Sequence, residues 1–207
     1  MTNTDYTALL LIVDRSGSMA DIAEDMEGGI RTLLDEQAAQ PGRLTVDFVR
    51  FDDKYEHVAK LADPAKVKVK ISPRGSTALL DAVGRAVTEF GETLAAMPEE
   101  ERPGTVIVAI VTDGLENASK EWQGFQVKEL VEQQQRDYSW VVTYLGANQD
   151  AISVAHHIGI NPSAALTYGT ADVAAMATSL SGYVTTTRST GVAAAYSVED
   201  RDAQAVN

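Results

Sequence analysis

Five side chains that offer only oxygen stand in three short segments of this sequence. Asp14, Ser16 and Ser18 alternate in Asp14-Arg15-Ser16-Gly17-Ser18, Thr77 follows Gly75-Ser76, and Asp113 lies in Thr112-Asp113-Gly114. An extended turn aims alternating side chains the same way, and Gly17 permits a tight bend between them. Two carboxylates and three hydroxyls make a hard donor set without nitrogen or sulfur. Such a set suits Mg²⁺, with Mn²⁺ or Ca²⁺ next, better than Zn²⁺ or Cu²⁺. Mg²⁺ prefers six-fold coordination, so this set leaves a position open, and its two carboxylates only about balance a dication. A cation held this way stays electrophilic enough to accept an anionic oxygen from outside. Taken singly, the same residue types more often cap helices: Asp14 or Ser18 could cap the first helix and Thr77 the long one.

The elements that must position these residues alternate along the chain. The apolar run Tyr6–Val13, ending at Asp14, predicts a strand buried on both faces. From Asp21, apolar residues at Ile22, Met26, Ile30, Leu33 and Leu34 predict a helix that stops before Pro41-Gly42. The Gly28-Gly29 pair inside it predicts close packing against the sheet. Leu44–Phe51 and Tyr55–Leu61, joined by Asp52-Asp53-Lys54, predict a hairpin, and Val67–Ile71 a further short extended piece. In Thr77–Met97 one face collects Leu79, Leu80, Val83, Ala86, Val87, Phe90, Leu94 and Met97, which predicts the clearest helix.

Thr105–Thr112 predicts a second buried strand, ending at Asp113-Gly114. A helix near Phe125–Arg136, a strand at Trp140–Leu145, a short helix around Asp150–His157 and a last helix around Ala171–Val184 complete the pattern. Strands alternating with helices predict an α/β sandwich with a mostly parallel central sheet, one antiparallel hairpin and helices on both faces. Residues 1–207 are expected to form a single domain, with a core at about 5–185 and an irregular, partly mobile tail over 186–207. In open α/β sheets, loops beyond the carboxyl ends of parallel strands converge on a crevice. The three oxygen-rich segments can therefore meet, although they are far apart in sequence.

Asp14-Arg15-Ser16-Gly17-Ser18, then Thr77, then Asp113-Gly114, resembles the metal-ion-dependent adhesion site of the von Willebrand factor A (vWA) domain. All three segments occur in the family's order, each at the expected strand end or helix start, and the resemblance spans about residues 5–185. It implies a Rossmann-like fold holding Mg²⁺ that binds a partner protein. In the family, the hydroxyls matching Ser16 and Ser18 coordinate directly, and the one matching Thr77 does so in the ligand-bound form. The carboxylates matching Asp14 and Asp113 act directly or through water, and a Glu or Asp of the partner completes the shell. The chain is similar to stand-alone intracellular vWA proteins of bacteria and their viruses. Some of those work beside AAA+ ATPases or in stress-resistance clusters, which implies an AAA+ ATPase as one candidate partner.

With 17 basic and 30 acidic side chains, the formal charge is −13. That balance argues against nucleic acid and anionic membrane as partners, since both are polyanions. The absence of cysteine removes disulfides, thiolate metal sites and cysteine nucleophiles, and agrees with a cytoplasmic location. The N-terminal apolar run is too short for a signal sequence or a membrane span.

Lys66, Lys68, Lys70 and Arg74 form a local reversal of charge leading into the Thr77 loop. They are expected either to protect an edge strand from pairing or to steer an acidic partner segment towards the metal. Arg15 is expected to touch the partner or to point to solvent. His156 and His157 point about 100° apart on a helix and do not suggest a zinc site. GxxxxGK[ST], GxGxxG and GxSxG are absent, and Glu116 alone stands near enough to Asp113 to serve a hydrolase as base. The expected role is a binding module, not an enzyme. A self-assembling structural component and a metal-dependent hydrolase are the alternatives.

Overall fold

The computed structural model describes residues 1–147 and 150–203. A six-stranded sheet is built from β1 (Asn3–Asp14), β2 (Arg43–Phe51), β3 (Tyr55–Ala62), β4 (Pro103–Thr112), β5 (Val141–Ala147) and β6 (Ala165–Tyr168), in the order β3-β2-β1-β4-β5-β6. Only β2 and β3 pair antiparallel; every other neighbouring pair is parallel. The helices are α1 (Ala23–Ala38), α2 (Leu79–Ala95), α3 (Gly124–Tyr138), α4 (Ala151–His157), α5 (Val173–Thr190) and α6 (Val198–Asp202). Helix α1 packs on α5 and α2 on α3, so the sheet is covered by helices and the architecture is the expected Rossmann-like α/β fold.

Burial on both faces explains the composition of the central strands. Leu9–Val13 in β1 and Ile107–Val111 in β4 are fully buried, and their pairing runs in register from Thr7↔Thr105 to Val13↔Val111. From these two strands the chain departs in opposite directions. After β1 it crosses through α1 to β2; after β4 it crosses through α3 to β5 on the other side. The loops beyond their carboxyl ends therefore part and leave a crevice.

Several expectations are corrected. Val67–Ile71 forms no strand. Its backbone is taken up by side chains instead: Arg31 donates to the Val67 carbonyl, Arg50 Nη1 to Lys70 O (2.5 Å), and Ile71 N donates to Glu27 Oε1 (2.8 Å). The lysines of this segment therefore guard no edge strand. Gly29 does mark a close approach, but to a helix: an added Cβ would lie 2.9 Å from Ala177 Cβ of α5, while Gly28 faces open space.

The segment expected to be an irregular tail is largely ordered. Helix α5 runs to Thr190 and ends at Gly191 (φ 68°), and α6 follows. Tyr196 is buried, stacked on Tyr183 at 4.9 Å and bonded to Thr143 Oγ1 at 2.9 Å. Residues 204–207 of that tail lie outside the described residues. The four-residue strand β6 went unpredicted because it is too short for a period to register.

Candidate metal centre

Asp14 is the last residue of β1, Asp113 the first after β4, and Thr77 lies two residues before α2. All three ligand segments thus converge on the crevice at the β1–β4 boundary. Asp14 is fully buried. Its Oδ1 accepts from Ser16 N (2.6 Å) and its Oδ2 from Thr112 Oγ1 (2.6 Å). Ser16 Oγ lies 3.0 Å from Ser18 Oγ, which donates to Asp113 Oδ1 at 2.7 Å. The fifth oxygen arrives over Gly114. A Cβ added there would lie 2.8 Å from Thr77 Oγ1, 3.5 Å from Ser18 Oγ and 3.6 Å from Asp14 Oδ2. Oxygens from two segments therefore border one small space that any side chain at position 114 would enter, and Ser18 ties Asp113 of the third segment to them.

None of these side chains caps a helix, so capping does not account for them. The 3₁₀ turn Gly17–Asp21 starts at Ser16 without a side-chain cap, and the caps of α1 and α2 are Ile22 and Ala78. The exposed N–H groups of α2 are met from the loop after Asp113: Leu80 N donates to Glu116 Oε2 (2.9 Å) and Asp81 N to Ser119 Oγ (3.0 Å). Glu116 Oε1 accepts from Ala118 N (2.9 Å) and Ser119 N (2.8 Å). Glu116 thus braces the loop after Asp113 against the start of α2. The same loop holds Thr77 by its backbone: Thr77 N donates to Asn117 Oδ1 (2.9 Å), and Thr77 O accepts from Asn117 N (3.0 Å) and Ala118 N (3.1 Å).

The bend at the site belongs to Gly75 and not to Gly17. Gly75 has φ 68°, and its carbonyl accepts from Gly17 N at 3.1 Å, whereas Gly17 has no positive φ. Thr112, the last residue of β4, is the residue that orients Asp14. A polar β-branched residue closing an otherwise apolar run was its only signal.

The set is electrostatically poised for a cation. Burial pushes Asp14 up from 3.8 to about 6, outweighing the hydrogen bonds from Thr112 and Ser16 that pull it down. Burial likewise raises Asp113. Among the described residues no three His, Asp or Glu side chains are placed to share a metal, so the hydroxyls are indispensable to any site here. A hard cation among these oxygens would offset the two raised carboxylates, and the residues fit one.

Buried Asp14 makes both stability and cation binding depend on pH. Its folded value, about 6, exceeds the ordinary 3.8, so ionised Asp14 costs stability above that window and the cost fades as pH falls through it. A bound cation needs the carboxylate, so its benefit has the opposite dependence. The rise in melting temperature given by millimolar Mg²⁺ is expected to be full near about pH 7.5 and to fall to about half or less by about pH 5. Thermal melts with and without Mg²⁺ at both pH values check this; an equal rise at both would contradict it.

The cationic residues distribute differently from expectation. Arg15 reaches neither solvent nor a partner surface: its side chain is 3% exposed and turned inward, with Nη1 2.7 Å from Glu56 Oε2 and Nε 3.5 Å from Asp52 Oδ2. Arg74 Nε pairs with Asp52 Oδ2 at 2.6 Å, and Lys70 Nζ with Glu27 Oε2 at 3.1 Å. Lys66 and Lys68 are exposed.

No protein-family model matches the chain, and no curated protein is similar to it. Solved structures are similar. Proximal thread matrix protein 1 from the mussel byssus, with its MIDAS motif occupied by zinc, superposes with a TM-score of 0.63 at 19% identity, over 85% of this chain and 45% of that one. A von Willebrand factor type A protein from Catenulispora acidiphila gives 0.58 at 15% identity, over 86% and 42%. Manganese-loaded TRAP protein of Plasmodium vivax gives 0.58 at 14% identity, over 84% and 72%. The chain thus spans under half the length of the first two. Its fold is of the von Willebrand factor A type. No helix among the described residues is long and apolar enough to cross a membrane.

Proposed function

We propose that Asp14, Ser16, Ser18, Thr77 and Asp113 hold a divalent cation, Mg²⁺ by donor chemistry, and that residues 1–207 act as one domain that binds a partner protein through a Glu or Asp side chain. The observation that carries this reading is the convergence of Thr77 Oγ1, Ser18 Oγ and Asp14 Oδ2 on the space over Gly114. The zinc-occupied and manganese-loaded neighbours support a divalent cation in a fold of this type.

A cation there would supply a Lewis-acidic point for an incoming carboxylate. The chain's own residues do the rest. Thr112 and Ser16 N hold the Asp14 carboxylate in one orientation, Ser18 links Ser16 to Asp113, and the Asn117 loop holds Thr77 in place. Glu116, the base candidate nearest Asp113 in sequence, is already committed to backbone donors, which supports binding over hydrolysis.

A random peptide library panned in Mg²⁺ and in EDTA tests the reading. Peptides retained only with Mg²⁺ should be enriched in Asp or Glu; cation-independent binders without acidic bias would defeat it. The exposed Lys66 and Lys68, with Lys70 beside its partner Glu27, are proposed to steer such a segment. Neutralising all three should slow association by roughly three- to ten-fold at low ionic strength and leave dissociation unchanged. Stopped-flow binding of a selected acidic peptide measures this, and an unaltered association rate would remove these lysines from the mechanism.

A further inference from the structure

Beneath the ligand loops lies a buried ionic cluster that the donor set does not use. Its centre is Asp52, fully buried in the turn between β2 and β3. We infer that Asp52 is a positioning residue of the metal site: its carboxylate, held between Arg15 of one ligand loop and Arg74 of the other, sets the spacing of the two loops and thereby cation affinity. The inference rests on the reading of the five oxygens as a cation site.

The geometry ties Asp52 to three segments at once. Its Oδ1 accepts from Lys54 N (2.7 Å), which closes its own turn. Its Oδ2 lies 2.6 Å from Arg74 Nε and 3.5 Å from Arg15 Nε. Its backbone carbonyl accepts from Ala78 N (3.0 Å), next to Thr77. Arg15 N in turn donates to Phe51 O (2.7 Å), and Arg74 N to Arg15 O (2.8 Å). The Asp14–Ser18 loop and the Arg74–Thr77 loop are thus both referenced to the same turn.

Charge makes the carboxylate essential there. Arg15 Nε is buried without a hydrogen bond, and its compensation comes from Asp52 and Glu56. A buried cation that loses its counter-charge is strongly penalised, and the chain relaxes to hydrate it. Without the Asp52 charge, Arg15 and Arg74 would also repel each other across the gap. Both responses move the loops that carry Ser16, Ser18 and Thr77. Asp52 resembles in this respect the groups behind metal ligands whose loss costs affinity without touching the metal.

Asp47 provides the control. It is equally buried, bonded to His57 Nε2 at 2.8 Å and to Leu61 N, and attached to neither ligand loop. The experiment is Mn²⁺ binding to the intact chain, read from the free-Mn²⁺ signal by electron paramagnetic resonance, alongside thermal melts. Asp52→Asn is expected to weaken Mn²⁺ by roughly ten- to a hundred-fold, and Arg74→Ala, whose side chain is half-exposed, by a few-fold. Asp47→Asn should lower the melting temperature but leave Mn²⁺ affinity within about two-fold of wild type. Unchanged affinity in Asp52→Asn, or an equal loss in Asp47→Asn, overturns the inference while the site itself stands. If Asp52→Asn does not fold, Arg74→Ala decides, and wild-type affinity in it overturns the inference. Absence of Mn²⁺ binding by the wild type would instead bring down the site reading and this inference with it.

Discussion

Asp14→Asn should abolish the cation-dependent rise in melting temperature while leaving the cation-free protein at least as stable as wild type near about pH 7. The two halves of this result have separate causes. The carboxylate is fully buried and raised to about 6, so carrying its charge at neutral pH costs on the order of 3 kcal/mol. Asparagine has the same shape without that charge. Its amide can still meet Thr112 Oγ1 and Ser16 N after the hydroxyl turns, so little is left unpaired.

The cation, however, loses one of its two carboxylates. At a hundred-fold excess over its Kd, a ligand contributes about 2.7 kcal/mol, which for a domain of this size is roughly 5–10 °C. Melts of both proteins with Mg²⁺ and with EDTA give the answer directly. A variant that keeps the Mg²⁺-dependent rise would show that Asp14 is not a ligand.

The second large effect is expected from Gly114→Ala. Position 114 has no positive φ, so the backbone accepts alanine without strain. The cost falls on the cradle, where the new methyl lies 2.8 Å from Thr77 Oγ1 and within 3.6 Å of Asp14 Oδ2. Thr77 cannot simply recoil, because its N–H and carbonyl are held by Asn117 and Ala118. Cation affinity should fall by at least about a hundred-fold, whereas stability without cation should fall by only about 1 kcal/mol. Isothermal titration with Mn²⁺ and urea unfolding separate the two. Affinity within a few-fold of wild type would show that the donors gather elsewhere than over Gly114.

Much of the fold was legible because burial on both faces leaves a strong mark. TVIVAIVT and LLLIV admit few readings other than central strands, and the helical spacing of α2 is unambiguous. The misreadings share a cause. Val67–Ile71 has the composition of a strand, but its backbone is met by Arg31, Arg50 and Glu27 from distant elements, which no local pattern reports. The segment after Thr185 looks irregular because its burial rests on single aromatic and polar contacts, Tyr196 on Tyr183 and Arg188 on the carbonyl of Gln37, and not on an apolar stripe.

At the candidate site the division is the same. By itself the sequence determined the donor chemistry, because hard oxygens without sulfur or imidazole can serve only a limited class of cations, and it determined the strand ends and helix start at which those oxygens stand. Only the tertiary structure decided that Thr77, Ser18 and Asp14 meet over Gly114 with Ser16 and Asp113 tied to them through Ser18, that Thr112 orients Asp14, and that Arg15 and Arg74 turn towards Asp52. Convergence depends on the order in which strands join the sheet, and a side chain's direction depends on which opposite charge is buried within its reach. Both are properties of residues far apart in the chain, so neither is written in any local stretch of it.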